Sequence, residues 1–166
     1  MVDIDRVVCD FCKLHLTENT AAFDDPRLEL INDDARSQLE NYPGAFNADS
    51  ASHALHPHPR RHPQLCHPFT LPGTFDVIIG DLADPVFGGP CYQLYTDDFY
   101  KNVVSVKLND GGVFVTQSGP CGVLSAGEVF APIHHTLRAT FDTVLPYCTH
   151  IPSFVDEWVR CWRDMR

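Results

Sequence analysis

Two carboxylates close an apolar run in the segment FDVIIGDLADPVFGGPCYQLYT, residues 75–96: Asp81 and Asp84, three positions apart, followed by a loop of Gly and Pro. Acids at that spacing on a tight turn can direct two negative groups into one hollow. Such a pair attracts a cation, and a strand end carrying acids, followed by a loop that can close, is how α/β proteins often build a site. The same spacing also fits an ordinary turn with solvated acids. Comparable endings recur at Asp3 and Asp5 in MVDID, and at Asp33 and Asp34 after RLELI. An acid after a strand is a known way of holding a ribose through its hydroxyls. Each acid alone says little, because Asp is common in turns; three strand-end clusters in one small sheet point to a site. No Gly-rich dinucleotide loop accompanies them. The GGP of 88–90 follows the acids and does not open a helix, so it is no phosphate cradle.

The elements that must hold these acids are legible in outline. Val7, Val8, Phe11, Leu14 and Leu16 recur with helical spacing, RLELI (27–31) alternates like a strand, and a short helix follows over 34–41. FDVIIG reads as a strand covered on both faces. Thr96 stands as N-cap of a helix over 96–108, with Asp97 and Asp98 where the helix dipole favours negative charge. NDGG makes a turn and VFVTQ (113–117) a buried strand. Ser125 and Glu128 have capping-box spacing ahead of a helix carrying Val129, Ile133 and Leu137, with Pro132 in its opening. FDTVLPYC (141–148) reads as the last strand. Strands alternating with helices imply an α/β fold, a mostly parallel sheet with helices on both faces.

The 166 residues allow one domain with a real core, and the formal net charge of −10 excludes a phosphate-binding basic face, hence nucleic acid. Seven cysteines at irregular spacing do not form a secreted disulfide framework. With no membrane-length apolar run and no leader motif, the expectation is a cytoplasmic protein. Residues 41–73 are rich in Pro and His and lack core periodicity, which reads as a disordered insertion. Its His53, His56, His58, His62 and His67 are too irregularly spaced for a closed metal site. Cys9 and Cys12 read as core-facing helix residues, and His134 and His135 as surface or boundary residues. No metal is expected.

From GDLADPVFGGPCYQLYT through LNDGGVFVTQSGPCG to PYCTHIPSF, and earlier in VVCDFC and DDPRLELINDDAR, the sequence resembles the polyamine aminopropyltransferases (spermidine and spermine synthases), most of all their plant-type thermospermine synthases. The likeness covers roughly 1–40 and 74–158. It implies a class I methyltransferase-like (Rossmann-like) sheet, and transfer of an aminopropyl group from decarboxylated S-adenosylmethionine to a polyamine, with methylthioadenosine released. Decarboxylated S-adenosylmethionine is then a co-substrate and no cofactor is expected. By the same resemblance Asp81 is the catalytic proton acceptor, and it also faces the nucleoside donor. Asp84, Gln117 and Tyr147 bind the amine, while Asp3 holds the ribose, Asp34 with Ala35 the adenine, and Pro90 the nucleoside.

The physics suits those roles. A polyamine nitrogen is protonated at neutral pH, with a pKa of about 10 like lysine's, and becomes a nucleophile only on losing that proton. The leaving group is a neutral thioether displaced from a sulfonium, so alignment and exclusion of water carry most of the catalysis. The resemblance further implies that the family's first core strand, its Gly-rich turn and a β-hairpin domain are missing from this chain. Phe154 stands where the family has Tyr, and VRCWRDMR after Trp158 does not continue the expected final strand, so 159–166 reads as a divergent tail. Homo-oligomers are expected of the full-length form. A non-catalytic remnant that binds polyamines through its acids is the alternative.

Overall fold

The computed structural model describes residues 1–42 and 73–163, which fall in two compact units, Met1–Tyr42 and Pro43–Arg166. All but the edges of the expected insertion, and its five histidines, lie outside the described residues.

In the first unit, Asp5 starts helix α1 (Arg6–His15) by accepting hydrogen bonds from the Val7 and Val8 amides at 2.9 and 3.0 Å, satisfying two of the orphan donors of a helix start. Of α1 only Cys9 is buried, and the Asn32 amide donates to its Sγ at 3.3 Å. A short α2 (Thr20–Phe23) follows. Asp34 then caps α3 (Ala35–Asn41), its Oδ1 accepting from the Ser37 amide at 2.7 Å. The strand expected over 27–31 shrinks to one parallel bridge between Val2 and Ile31. A strand needs a partner ladder, and the 1–5 segment supplies only this contact. The preceding chain is shaped instead by Asp25, which holds the Arg27 guanidinium at 2.6 Å and the Leu28 amide through its carbonyl.

The second unit is built on four strands: β1 (Phe75–Gly80), β2 (Leu108–Pro120), β3 (Val144–Ile151) and β4 (Asp156–Arg163). Their order is β1-β2-β4-β3. The first pair is parallel, and β4 runs antiparallel to both neighbours, so β1, β2 and β3 share one direction. Against the expectation that VRCWRDMR does not continue the final strand, the described residues after Trp158 belong to β4, an interior strand whose Val159 and Cys161 are buried.

Helix α4 (97–107) connects β1 to β2. Thr96 caps it as expected, accepting from the Phe99 amide, and its middle turn, Tyr100–Val104, is π-helical. Helix α5 (Phe130–Thr140) precedes β3. The rings of Tyr100, Phe114 and Phe141 meet at centroid distances of 5.6–6.3 Å, and Ile133 and Leu137 of α5 are buried with them. This cluster unites α4, α5 and one face of the sheet. The capping box fails, because Ser125 turns to Asp156, donating to Oδ2 at 2.8 Å, and α5 begins later without a side-chain cap.

β1 is not covered on both faces. Val77 and Ile79 are exposed, as are Leu145 and Trp162. The ladder pairs Ile79 with Val115, Val115 with Trp162 and Trp162 with Leu145, so an apolar row crosses all four strands on the face opposite the aromatic cluster. No helix among the described residues is long and apolar enough to cross a membrane.

Candidate functional site

One register step beyond that apolar row, toward the carboxyl end of β1, the side chains become polar. Gln117 of β2 stands opposite Arg160 of β4, and Arg160 stands opposite Tyr147 of β3. Directly opposed residues project to the same face, so the three form a row. β1 runs out at Gly80 into Asp81, and the Arg160 Nη1 reaches Asp81 Oδ1 at 3.1 Å.

Asp84, half-buried, is held from β2. The Gln117 side chain is only 4% exposed, and its Nε2 donates to Asp84 Oδ1 at 2.7 Å. Its orientation is fixed by what it accepts: the Gly119 amide at 2.6 Å and the Trp158 indole N–H at 2.8 Å both donate to Gln117 Oε1. Two donors on one oxygen leave the amide nitrogen facing the acid. Gly119 is essential to this turn. Its φ is +77°, and a Cβ there would lie 2.5 Å from Val129 Cγ1, so any larger residue meets both strain and a clash.

Tyr95 is buried beneath the same loop, its hydroxyl 3.5 Å from the Leu82 carbonyl. Burial, reinforced by the negative charge of Asp84, pushes its phenol well above the ordinary tyrosine range. It is therefore a proton-bearing wall beside the acid. Pro90 lies exposed in a loop tightened by Gly89 N–H to Val86 O at 2.8 Å and by the edge-on rings of Phe87 and Tyr92.

Of the residues singled out from sequence, Asp81, Asp84 and Gln117 thus gather at one sheet end, joined through Arg160 and Trp158, with Tyr147 beside Arg160 in the ladder. In the first unit, Asp3 and the Asn32–Asp34 turn leave the two sides of the Val2–Ile31 bridge. Asp3 Oδ1 accepts from the Asp5 amide at 2.8 Å, and Asp34 with Ala35 forms the start of α3. Neighbouring Asp33 accepts from the Asp34 amide and from Gln38, which holds its carboxyl below the usual range. His134 and His135 lie half-buried and exposed on α5, as expected.

Sequence reasoning did not single out Trp158 and Arg160 as site residues. The signal was the alternation in DEWVRCWR, which places Trp158, Arg160 and Trp162 on one face of a strand; the charges at Asp156, Glu157 and Arg160 hid it.

A sheet of this topology ending in an acid pair meets its match among known proteins. Residues 1–51 and 66–162 match the spermine/spermidine synthase domain, and the chain belongs to that family. It is 42% identical over 158 residues to thermospermine synthase ACAULIS5 of Arabidopsis thaliana, covering 95% of this chain and 38% of the relative. It is 35% identical over 159 residues to a polyamine aminopropyltransferase of Aeropyrum pernix, covering 95% of this chain and 41% of the relative. The chain therefore spans about two fifths of the length of these curated relatives. Its fold is that of the spermidine synthase from Thermotoga maritima, with a TM-score of 0.69 at 18% identity, over 99% of this chain and 44% of that one. A spermidine synthase in complex with the transition-state analogue AdoDATO gives a TM-score of 0.73 at 18% identity, over 99% and 45%. The Rossmann-like reading of the sheet holds.

Proposed function

We propose that this chain carries the amine-acceptor site of a polyamine aminopropyltransferase, and that the reaction is transfer of an aminopropyl group from decarboxylated S-adenosylmethionine to spermidine, giving thermospermine. The observation that carries it is the placement of Asp81 and Asp84 just past one strand end, the first against Arg160 and the second held by a buried Gln117 whose own orientation is fixed by two donors. The spermidine acceptor rests on the wording of GDLADPVFGGPCYQLYT and HIPSF and on the similarity to a relative named for thermospermine synthesis.

In this reading Asp84 anchors one ammonium of the acceptor, and Asp81 takes the proton from the attacking nitrogen. The nitrogen lone pair forms the new bond to the aminopropyl carbon as the carbon–sulfur pair returns to the sulfonium. Methylthioadenosine leaves as a neutral thioether. Gln117 keeps Asp84 aimed, and Tyr147 lines the approach for the aliphatic spacers. Asp3, Asp34, Ala35 and Pro90 are assigned to the nucleoside of the donor. No cofactor is needed, since the sulfonium supplies its own activation.

A second reading, a polyamine-binding protein without transfer activity, draws support from Arg160, whose cation already occupies Asp81. One experiment separates the two. The chain is incubated with decarboxylated S-adenosylmethionine and spermidine, and methylthioadenosine and thermospermine are quantified by chromatography, with Asp81→Asn alongside. Transfer predicts product from the native sequence and a loss of at least about 100-fold in Asp81→Asn, the scale of a general base. Equal signals from both would defeat the catalytic reading, and spermidine binding without product would leave the second.

A further inference from the structure

Beyond the acid pair, β2 ends in a cluster of a different chemistry. Cys121 follows Pro120 and is pinned against β4, its amide donating to the Glu157 carbonyl at 2.8 Å. Cys148 comes from β3 on the other side of β4, opposite Val159 in the ladder. The two sulfurs lie 2.9 Å apart, and Cys148 Sγ is 3.7 Å from Glu157 Oε2. All three donor atoms fall within 4.8 Å of one another. We propose that Cys121, Cys148 and Glu157 form a binding site for a thiophilic divalent cation of the zinc class.

Three arguments carry the assignment. The first is spacing. Metal–sulfur bonds of about 2.3 Å and metal–oxygen bonds of about 2.0–2.2 Å on a tetrahedral ion set its donors roughly 3.4–3.8 Å apart. The Cys148–Glu157 distance is already of that size, and the two sulfurs need part by less than about 1 Å. The second is charge. Two thiols and Glu157 sit beside Asp156, and among the described residues no ion pair of Glu157 is seen. The third is topology. β4 runs between the strands that carry the two cysteines, so their side chains converge over it. A bridging ion there would link three strands through side chains that already meet, the sulfurs 2.9 Å apart.

On binding, the two S–H protons pass to solvent and two sulfur–metal bonds form, with Glu157 as third ligand and water in the fourth position. No electron changes hands. The ion would tie the end of β2 to β3 and β4, four residues beyond Gln117.

The test uses the reduced, metal-free chain titrated with Zn²⁺ and with Cd²⁺. Expected are one equivalent bound, a thiolate-to-Cd²⁺ charge-transfer band, and at least about tenfold weaker binding in Cys121→Ser and in Cys148→Ser. Footprinting the native sequence with iodoacetamide removes dependence on how the variants fold: Zn²⁺ should protect Cys121 and Cys148 and leave Cys91 reactive. No binding, protection confined to other cysteines, or a Cys121–Cys148 disulfide that forms in place of metal retention would each overturn the proposal.

Discussion

Arg160 Nη1 stands 3.1 Å from Asp81 Oδ1, so the acid assigned to accept a proton from a polycation already faces a cation of the protein's own. The two arrive from opposite parts of the sheet, Asp81 from the end of an edge strand and Arg160 from an interior one. Their side chains are 70% and 36% exposed. An exposed pair of this kind is worth roughly 0–1 kcal/mol, small enough for an ammonium to displace. An incoming amine must nevertheless compete with the guanidinium. Arg160→Leu should therefore bind spermidine roughly two- to fivefold more tightly at low salt by isothermal titration calorimetry. The gain should vanish when Asp81→Asn is added, because the two substitutions act on one interaction. Equal affinities for the native sequence and Arg160→Leu would show that Arg160 does not guard the acid.

Gln117 carries the heaviest polar load in the site. Replacing it by Leu removes the acceptor of the Gly119 and Trp158 N–H groups and the donor to Asp84 together. Buried groups left without partners cost about 1–3 kcal/mol each, partly relieved by water. Gln117→Leu should lower stability by about 2–4 kcal/mol, read as a fall in the urea midpoint at unchanged slope. A loss under about 1 kcal/mol would mean that the network is dispensable.

How far the sequence reaches can be judged residue by residue. Asp81 and Asp84 were legible because an apolar run ending in acids is a local pattern, whereas Gln117 came only from the family resemblance, and the structure sets it against Asp84. The helix over 97–107 was legible for a similar reason: Thr96 and two following acids are a complete start signal within four residues. β4 was not, since its strand character depends on neighbours on both sides that satisfy its backbone and give Arg160 a partner in Asp81. RLELI failed in the opposite sense, with the right alternation but no ladder beyond Ile31. The Ser125–Glu128 box failed because Asp156, distant in sequence, offered Ser125 a better acceptor. Cys121 and Cys148 carry no spacing signal at all, for they meet only across β4.

Acid titration should find its clearest local response in Asp25. Hydrogen bonding to the Arg27 side chain, and then to the Arg27 amide, lowers the Asp25 carboxyl to about 2 from an ordinary 3.8. A depressed carboxyl stabilises the fold above its unfolded-state value, and that contribution is lost as pH falls through the folded value. Native chain and Asp25→Asn should therefore differ in thermal midpoint above about pH 4 and converge as pH approaches 2. Because the Arg27 guanidinium is open to solvent, the gap should also shrink in high salt. A difference unaffected by either pH or salt would assign the role of Asp25 to backbone geometry alone.

Tyr100 poses the sharpest question in the core. Its ring is fully buried between Phe114 and Phe141, and among the described residues its hydroxyl has no hydrogen-bond partner. Burial, with Tyr95 and Cys161 nearby, keeps the phenol protonated far above the ordinary range. A buried hydroxyl that bonds to nothing forfeits its hydration without return, at about 1–3 kcal/mol. Tyr100→Phe deletes that one group and keeps the ring contacts, so it should raise stability by about 1 kcal/mol in the urea midpoint. The Tyr100→Leu control should instead lose about 2 kcal/mol or more, because it abandons the aromatic contacts. If Tyr100→Phe proves destabilising, the hydroxyl is held by an ordered water inside the cluster. Comparing the native and Tyr100→Phe crystal structures would then show that water leaving with the oxygen.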